Sequence, residues 1–465
     1  MNASIIAKLA TTARSGVACA QRYGYVRQVH RIALLTPLLL LGSCRHWYLP
    51  ICTGGTATPL AVEAPPQNVV MISIDTLRRD RVGRYDGSDR TPTLDAVLAA
   101  GVTLDDHQSC SNWTYASLLC ALGGRYNAEA GIAPESDDLD TDPLPQGVRL
   151  LGEVLRDQGF HTRLVSANHF LSARFSFDRS YDRIVNDTEW SATELVDTAV
   201  AEATALAGRD EPWMLHLHFL DPHLPYEAPG VFGADVSDLA PIDWDVTTKT
   251  GLAAVTERWE GLGDDEQALI RAHLDRHYDS QLNYLDHQLG RLMGELTTLG
   301  VLDDSLVVIW SDHGEQLWDH GQVAHRKALY SEETGAIASF LAPGLEPVAW
   351  DEPTSHVDLA PSVLELMHLS VPKGMTGAPL GSRSADCPRF ADCFAGDATQ
   401  QSVDQDGWRL IYRWSGQREL YDLRADPQEL NDLWVDGHEV GEELWQALEP
   451  HVAVSAPLHD KATPL

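Results

Sequence analysis

Basic residues are scarce in this chain. It has 34 Lys and Arg against 68 Asp and Glu, a formal net charge of −34 over 465 residues. Five of the basic residues (Lys8, Arg14, Arg22, Arg27 and Arg31) precede residue 44 with no acid among them, so the remainder carries −39. A phosphate backbone is held by clustered Lys and Arg, so nucleic acid is excluded as a partner. Long apolar runs are missing too, which excludes a multi-pass membrane protein. The seven cysteines show no zinc-finger spacing. Apolar residues are plentiful: 44% of the chain is hydrophobic, with 13 Trp, which supplies a core and excludes a disordered chain. The length fits one large domain with a smaller one, or two domains.

The first 43 residues read as a targeting segment. Arg27 and Arg31 precede an apolar run over 32–41, the length of a signal h-region and short for a transmembrane helix. Leu41-Gly42-Ser43-Cys44 follows, with the form of a bacterial lipobox. The readings that stand are a lipoprotein anchored through a lipidated Cys44, a plain signal peptide, or a short membrane anchor. In each case export to the periplasm or cell envelope is expected. Residues 44–66 read as a linker. Exported chains form disulfides. Cys110 and Cys120 are close enough in sequence to pair, as are Cys387 and Cys393, but connectivity stays open.

The mature chain alternates strand and helix. Asn68-Val-Val-Met-Ile-Ser-Ile-Asp75 is nearly continuous in apolar residues, as a buried parallel strand requires. Further strands are expected at 161–166, 212–220, 305–311 and 338–341. Helices are expected at 93–100, 150–158, 194–207, 266–299 and 356–368. This order predicts an α/β fold, a mainly parallel central sheet flanked by helices, over 67–385. Residues 386–465 predict a smaller C-terminal α+β subdomain of antiparallel strands and a helix.

Ligands in open parallel sheets sit beyond the carboxyl ends of the strands. Three apolar runs end in acids there: Asp75, Asp221 with His223, and Asp312 with His313. Converging carboxylates repel, and a divalent cation relieves the repulsion. Two Asp oxygens and a His nitrogen suit Mn, Zn or Ca. A lone Asp in such a place more often caps the next helix. His216 and His218, two apart on one strand, share a face and read as core histidines.

These motifs resemble the sulfatase family of the alkaline-phosphatase-like superfamily. Asp75-Thr-Leu-Arg-Arg-Asp80, with Thr91-Pro-Thr-Leu-Asp95 after it, is similar to the family's opening. Asp221-Pro-His223-Leu-Pro-Tyr226, Asp312-His313-Gly314-Glu315, His325 with Leu329-Tyr330, Asp358-Leu-Ala-Pro361 and Leu420-Tyr-Asp-Leu423 follow in family order, across roughly residues 68–433. The resemblance implies an alkaline-phosphatase-like sandwich and a divalent metal held by Asp75, Asp312 and His313, with Thr114 as nucleophile and additional ligand. It implies His223 and His325 on substrate oxygens, one of them protonating the leaving group, and Arg125 on substrate charge.

The nucleophile segment departs from the family pattern. Anchored on Gly124-Arg125, Thr114 occupies the place of the Cys or Ser that is oxidised to formylglycine, so no formylglycine is expected. Ala116 and Leu118 replace the family Pro and Arg, and Thr76 stands where many sulfatases have a second Asp. Thr at this place resembles phosphoethanolamine transferases and lipoteichoic-acid synthases. An alternative register puts Ser111 at the nucleophile. The expected function is a metal-dependent hydrolase of sulfate or phosphate esters on a small-molecule, glycan or lipid substrate. A phospho-group transferase and a catalytically silent envelope binding protein are the alternatives.

Overall fold

The computed structural model describes residues 55, 60–132, 143–395 and 399–462, all within the unit Leu49–Leu465. The targeting segment, Cys44 and most of the linker lie outside the described residues.

An eight-stranded sheet forms the centre. Its strands in chain order are β1 (Asn68–Ile74), β2 (Val102–Leu104), β3 (His161–Ser166), β4 (Arg183–Asn186), β5 (Trp213–Phe219), β6 (Ser305–Ser311), β7 (Ala338–Leu341) and β8 (Val348–Trp350). Their spatial order is β8-β2-β7-β6-β1-β5-β3-β4, and only β7 runs against the rest. The main helices are α1 (Pro92–Ala99), α2 (Thr114–Gly123), α3 (Leu151–Asp157), α4 (Ala192–Ala207), α5 (Lys249–Thr256), α6 (Asp264–Thr298), α7 (Leu359–Leu366) and α8 (Glu439–Ala462).

Alternation along β1 sends its side chains to two cores. Val69 and Met71 join the core under α2, α3 and α7, while Val70, Ile72 and Ile74 join the one under α1, α4 and α6. A strand buried on both faces carries few polar residues, which is why β1, β5 and β6 read as nearly continuous apolar runs. Helix α4 begins where Ser191 accepts from Thr193 N–H and Glu194 completes a capping box.

A second sheet, antiparallel and four-stranded, follows: β9 (Arg389–Cys393), β10 (Gln400–Gln405), β11 (Trp408–Arg413) and β12 (Arg418–Asp422). Leu444 and Leu448 of α8 pack with Phe390, Val403, Leu410 and Leu420 in a core that also holds Cys110, Cys120 and Tyr126. The C-terminal sheet is thus buried against the back of α2. Asp392 N–H donates to the Cys110 carbonyl at 2.9 Å, and Ser111 Oγ–H to the Asp392 carbonyl at 2.7 Å.

Cys110 and Cys120 form a disulfide. The alternative pairing of Cys387 with Cys393 does not occur: Cys387 is in a disulfide, and Cys393 is a buried free thiol.

Candidate active site

The ladder of β1 with its two parallel neighbours sets the site. Asp75 N–H continues it to the Phe219 carbonyl, and Asp312 N–H to the Ile74 carbonyl, each at 3.0 Å. Asp75 and Asp312 therefore leave adjacent strands at the same level. Thr76 turns the chain away with φ +51°, a strained region for a β-branched residue and one that clusters at functional sites. Its N–H donates to Asp312 Oδ1 at 3.1 Å. Gly314 is required by close approach: a Cβ there would lie 1.9 Å from the Glu332 carbonyl oxygen.

Asp75, Asp312 and His313 each offer one ligand atom within 4.8 Å of the others, and all three are fully buried. Asp312 Oδ1 accepts His313 N–H at 2.6 Å, but Oδ2 is buried with no partner. His313 Nδ1–H donates to the Gly314 carbonyl at 2.8 Å, which leaves the Nε2 lone pair facing the two carboxylates. Burial and the nearby His325 hold His313 down to about 3, so the ring is neutral, as a metal ligand must be. Burial and then the Asp75 charge push Asp312 well up. Burial opposes ionisation of Asp75 too, yet His223, His218 and His313 together hold it below the usual carboxylate range. Two buried carboxylates, one oxygen of them unpartnered, and one neutral imidazole fit a divalent cation.

Thr114 is the first residue of α2. Its Oγ1 lies 3.5 Å from Asp75 Oδ1 and 3.3 Å from His313 Nε2. The first N–H groups of a helix have no intrahelical acceptor, so this end favours an anion. Ser111, the alternative nucleophile, is instead turned to the Asp392 carbonyl. Two braces hold the segment before Thr114. One is the disulfide. The other is the fully buried Glu333, which accepts from Asn112 Nδ2 and Gln316 Nε2, both at 2.7 Å, and whose burial pushes it up to about 8. Glu332 is buried as well and pairs with His320 Nδ1.

His325 lies beside His313, ring centroids 4.7 Å apart, and 5.2 Å from His223. His325 Nδ1 is 2.7 Å from Glu315 Oε1, and Tyr226 O–H donates to Glu315 Oε2 at 2.6 Å. His223 Nδ1–H donates to the Leu224 carbonyl at 2.7 Å. Burial lowers the His223 pKa, but the charges of Asp75 and Glu315 outweigh it and raise it.

Two residues fall elsewhere. Arg125 sits past the C-terminal end of α2, eleven residues and so about 16 Å along the axis from Thr114. There it donates to the Glu129 carbonyl at 2.6 Å, away from the place a substrate-binding role requires. Asp221 accepts Ala192 N–H at 2.8 Å and serves as a helix cap. Sequence reading missed Asn168, which donates to Asp75 Oδ2 at 2.7 Å, and the contact of His218 Nε2 with the same oxygen at 3.6 Å. It also missed Glu315 as the partner of His325. A carboxylate three residues after Asp312 was the available signal for that last pair.

The sulfatase family model matches residues 67–369, most of the described chain. A sulfatase of Formosa agariphila is 22% identical over 461 residues, spanning 86% of this chain and 87% of that protein. A phosphonate monoester hydrolase from Silicibacter pomeroyi superposes with a TM-score of 0.67 at 18% identity, over 85% of this chain and 96% of that one. A structure solved with its substrate, D-glucosamine-2-N,6-O-disulfate, gives 0.66 at 17% identity, over 86% and 99%. The two structural matches speak to the fold, which is the one expected. With the family model covering well over half its length, the chain belongs to the sulfatase family.

Proposed function

We propose that this chain is an exported, metal-dependent hydrolase of sulfate or phosphate esters, with the Thr114 hydroxyl as the attacking group. The observation that carries the reading is Thr114 Oγ1 at 3.5 Å from Asp75 Oδ1 and 3.3 Å from His313 Nε2, at the start of a buried helix. Asp75, Asp312 and His313, with Thr114 beside them, would hold a divalent cation of the Mn, Zn or Ca kind; when bound, such an ion lowers the pKa of a hydroxyl and offsets ester charge.

The chain's own groups do the rest. The free N–H groups at the start of α2 face the anionic ester. His223 and His325 have Nδ1 committed to Leu224 and Glu315, so Nε2 is the atom each offers to substrate. The Thr114 hydroxyl loses its proton to solvent, its oxygen bonds to sulfur or phosphorus as the bond to the leaving oxygen breaks, and a proton passes from His325 Nε2 to that leaving oxygen. Glu315 steadies the imidazolium before the transfer. A water oxygen then bonds to sulfur or phosphorus as the bond to Thr114 Oγ1 breaks; one water proton returns to His325 Nε2, Thr114 Oγ1 takes up a proton from solvent, and sulfate or phosphate leaves. Export is supported by the segment 1–43 and by the Cys110–Cys120 disulfide, a bond that persists in oxidising compartments. The family matches support sulfate and phosphate esters as substrate class; a sulfated sugar is the first glycan to try.

The test is hydrolysis of aryl sulfate, aryl phosphate and aryl phosphonate esters, with and without EDTA. Turnover is expected on at least one ester, lost with EDTA and restored by metal, and absent in Thr114→Ala. Full turnover in Thr114→Ala would overturn the nucleophile assignment, and EDTA-resistant turnover the metal.

A further inference from the structure

Asp75 turns its two oxygens to different neighbours. Oδ1 faces Thr114 and His313, whereas Oδ2 faces Asn168 and His218. Behind His218 a file of polar atoms crosses the sheet interior. His218 Nδ1 is 2.7 Å from Ser73 Oγ, Ser73 Oγ is 2.9 Å from His216 Nε2, and His216 Nδ1 is 2.6 Å from the Tyr181 hydroxyl. Ser73 and both histidines are fully buried, and Tyr181 nearly so. The register explains the file: Ser73 pairs with His218 and Met71 with His216 across β1 and β5, so the three polar side chains share one face. Three polar residues on a face otherwise given to Val69, Met71 and Met214 are costly unless they satisfy one another.

One polarity satisfies the whole file. A carboxylate only accepts, so His218 must present Nε2–H to Asp75. In the neutral ring His218 Nδ1 is then an acceptor, and Ser73 O–H donates to it. Ser73 Oγ accepts His216 Nε2–H, and His216 Nδ1 accepts the Tyr181 O–H. Each hydrogen is assigned once, and every donor points towards Asp75. The reverse order would aim the His218 Nε2 lone pair at Asp75 Oδ2. The Leu217 carbonyl, 3.3 Å from Ser73 Oγ, is the weaker competing acceptor.

We propose that Tyr181, His216, Ser73 and His218 form a one-way hydrogen-bond file that orients Asp75 for metal binding. The inference rests on the reading of Asp75 as a metal ligand. These are positioning residues, which act through Asp75. The file adds no net charge. It holds Oδ2, together with Asn168, so that Oδ1 stays turned to the cluster. The last link, at 3.6 Å, is the longest, and the buried His218 Nε2 has no hydrogen-bond partner within reach among the described residues other than this oxygen. Residues that orient a ligand in this way typically account for about 10–100-fold in metal affinity.

The test is titration of the metal-free full chain with Mn(II), with free ion read by electron paramagnetic resonance and folding checked by thermal melting. His218→Ala should weaken Mn(II) binding by about 10–100-fold. His218→Gln, whose amide Nε2 takes the place of the imidazole Nε2, should recover to within about tenfold of the parent. Tyr181→Phe, one hydroxyl removed and far from the ion, should weaken binding by about two- to fivefold. Asp75→Ala should abolish it. Loss of binding in Asp75→Ala with unchanged affinity in His218→Ala overturns the file and leaves the metal reading intact. Unchanged binding in Asp75→Ala overturns both. A Gln variant no better than Ala reduces His218 to packing and overturns the file. Should His218→Ala fail to fold, Tyr181→Phe decides: parental affinity there overturns the proposal.

Discussion

Asp312 and Asp358 lie equally deep, at 0% and 1% exposed. Asp358 is saturated: Oδ1 accepts Ala378 N–H and Oδ2 accepts Ser355 N–H, both at 2.9 Å, while Arg383 Nη1 reaches both oxygens at 3.1–3.2 Å. Asp312 has two backbone donors on Oδ1 and none on Oδ2, and the groups facing it are a neutral imidazole, a hydroxyl and another carboxylate. A buried carboxylate is compensated by a cation, by donated hydrogen bonds or by taking up a proton. Near β9 the chain provides a cation as Arg383, whereas at the end of β6 that part is assigned, under the proposed function, to a metal ion. Asp221 is a third case, a strand-end acid satisfied by a helix N-terminus alone.

The largest expected effect tests the β6 end. Asp312→Ala should abolish Mn(II) binding and lower ester turnover by roughly a thousandfold or more. Parental turnover in that variant would break the comparison. Next, Arg383→Ala should strand a buried charge at Asp358 and cost roughly 3–5 kcal/mol in denaturant melts. A cost below about 1 kcal/mol would mean that Asp358 finds other compensation. Third, saturating Mn(II) should raise stability by about 2.7 kcal/mol at a hundred times Kd. Asp312→Ala should show no such rise, and Arg383→Ala should keep it.

The smallest effect belongs to Asp221. Burial raises its pKa to about 6, above the unfolded value, so its contribution is present at low pH and fades as pH rises through about 6. Asp319 behaves oppositely. Burial works against ionisation, but Arg78 outweighs it and holds the pKa down to about 2, so that pair stabilises above pH 4 and is lost as pH falls through about 2. Asp221→Asn keeps the cap oxygen. It should therefore gain stability on the parent as pH rises from 4 to 7. A gap that does not change with pH would remove Asp221 from the comparison.

Much of the fold could be read from sequence, for a physical reason. Strands β1, β3, β5 and β6 are buried on both faces or nearly so, and the helices between them carry Gly stops and apolar stripes. The short strands β2, β4 and β8 went unread, because three or four residues are too few to show a period. The meeting of Asp75, Asp312 and His313 was legible in the order of their motifs. The role of His218 was not, since it depends on Ser73 standing opposite it, 145 residues away in the chain. Asn168 follows β3 with no local signal at all. Arg125 was misplaced by reading a motif without measuring the helix: a ten-residue α2 carries residue 125 away from Thr114.

The main-chain ladder that continues from Ile74 into Asp75 and from Ser311 into Asp312 acts as a ruler for the two carboxylates. Their separation is graduated in peptide units of three neighbouring strands, and no loop length enters it. Segments such as 228–264 can therefore be lengthened, shortened or exchanged between relatives without altering the gap between the acids. One residue inserted within β1 would shift Asp75 by a full pleat and turn it to the opposite layer. Variation in this protein should accordingly accumulate around the mouth of the site, with β1 and β6 held to fixed length.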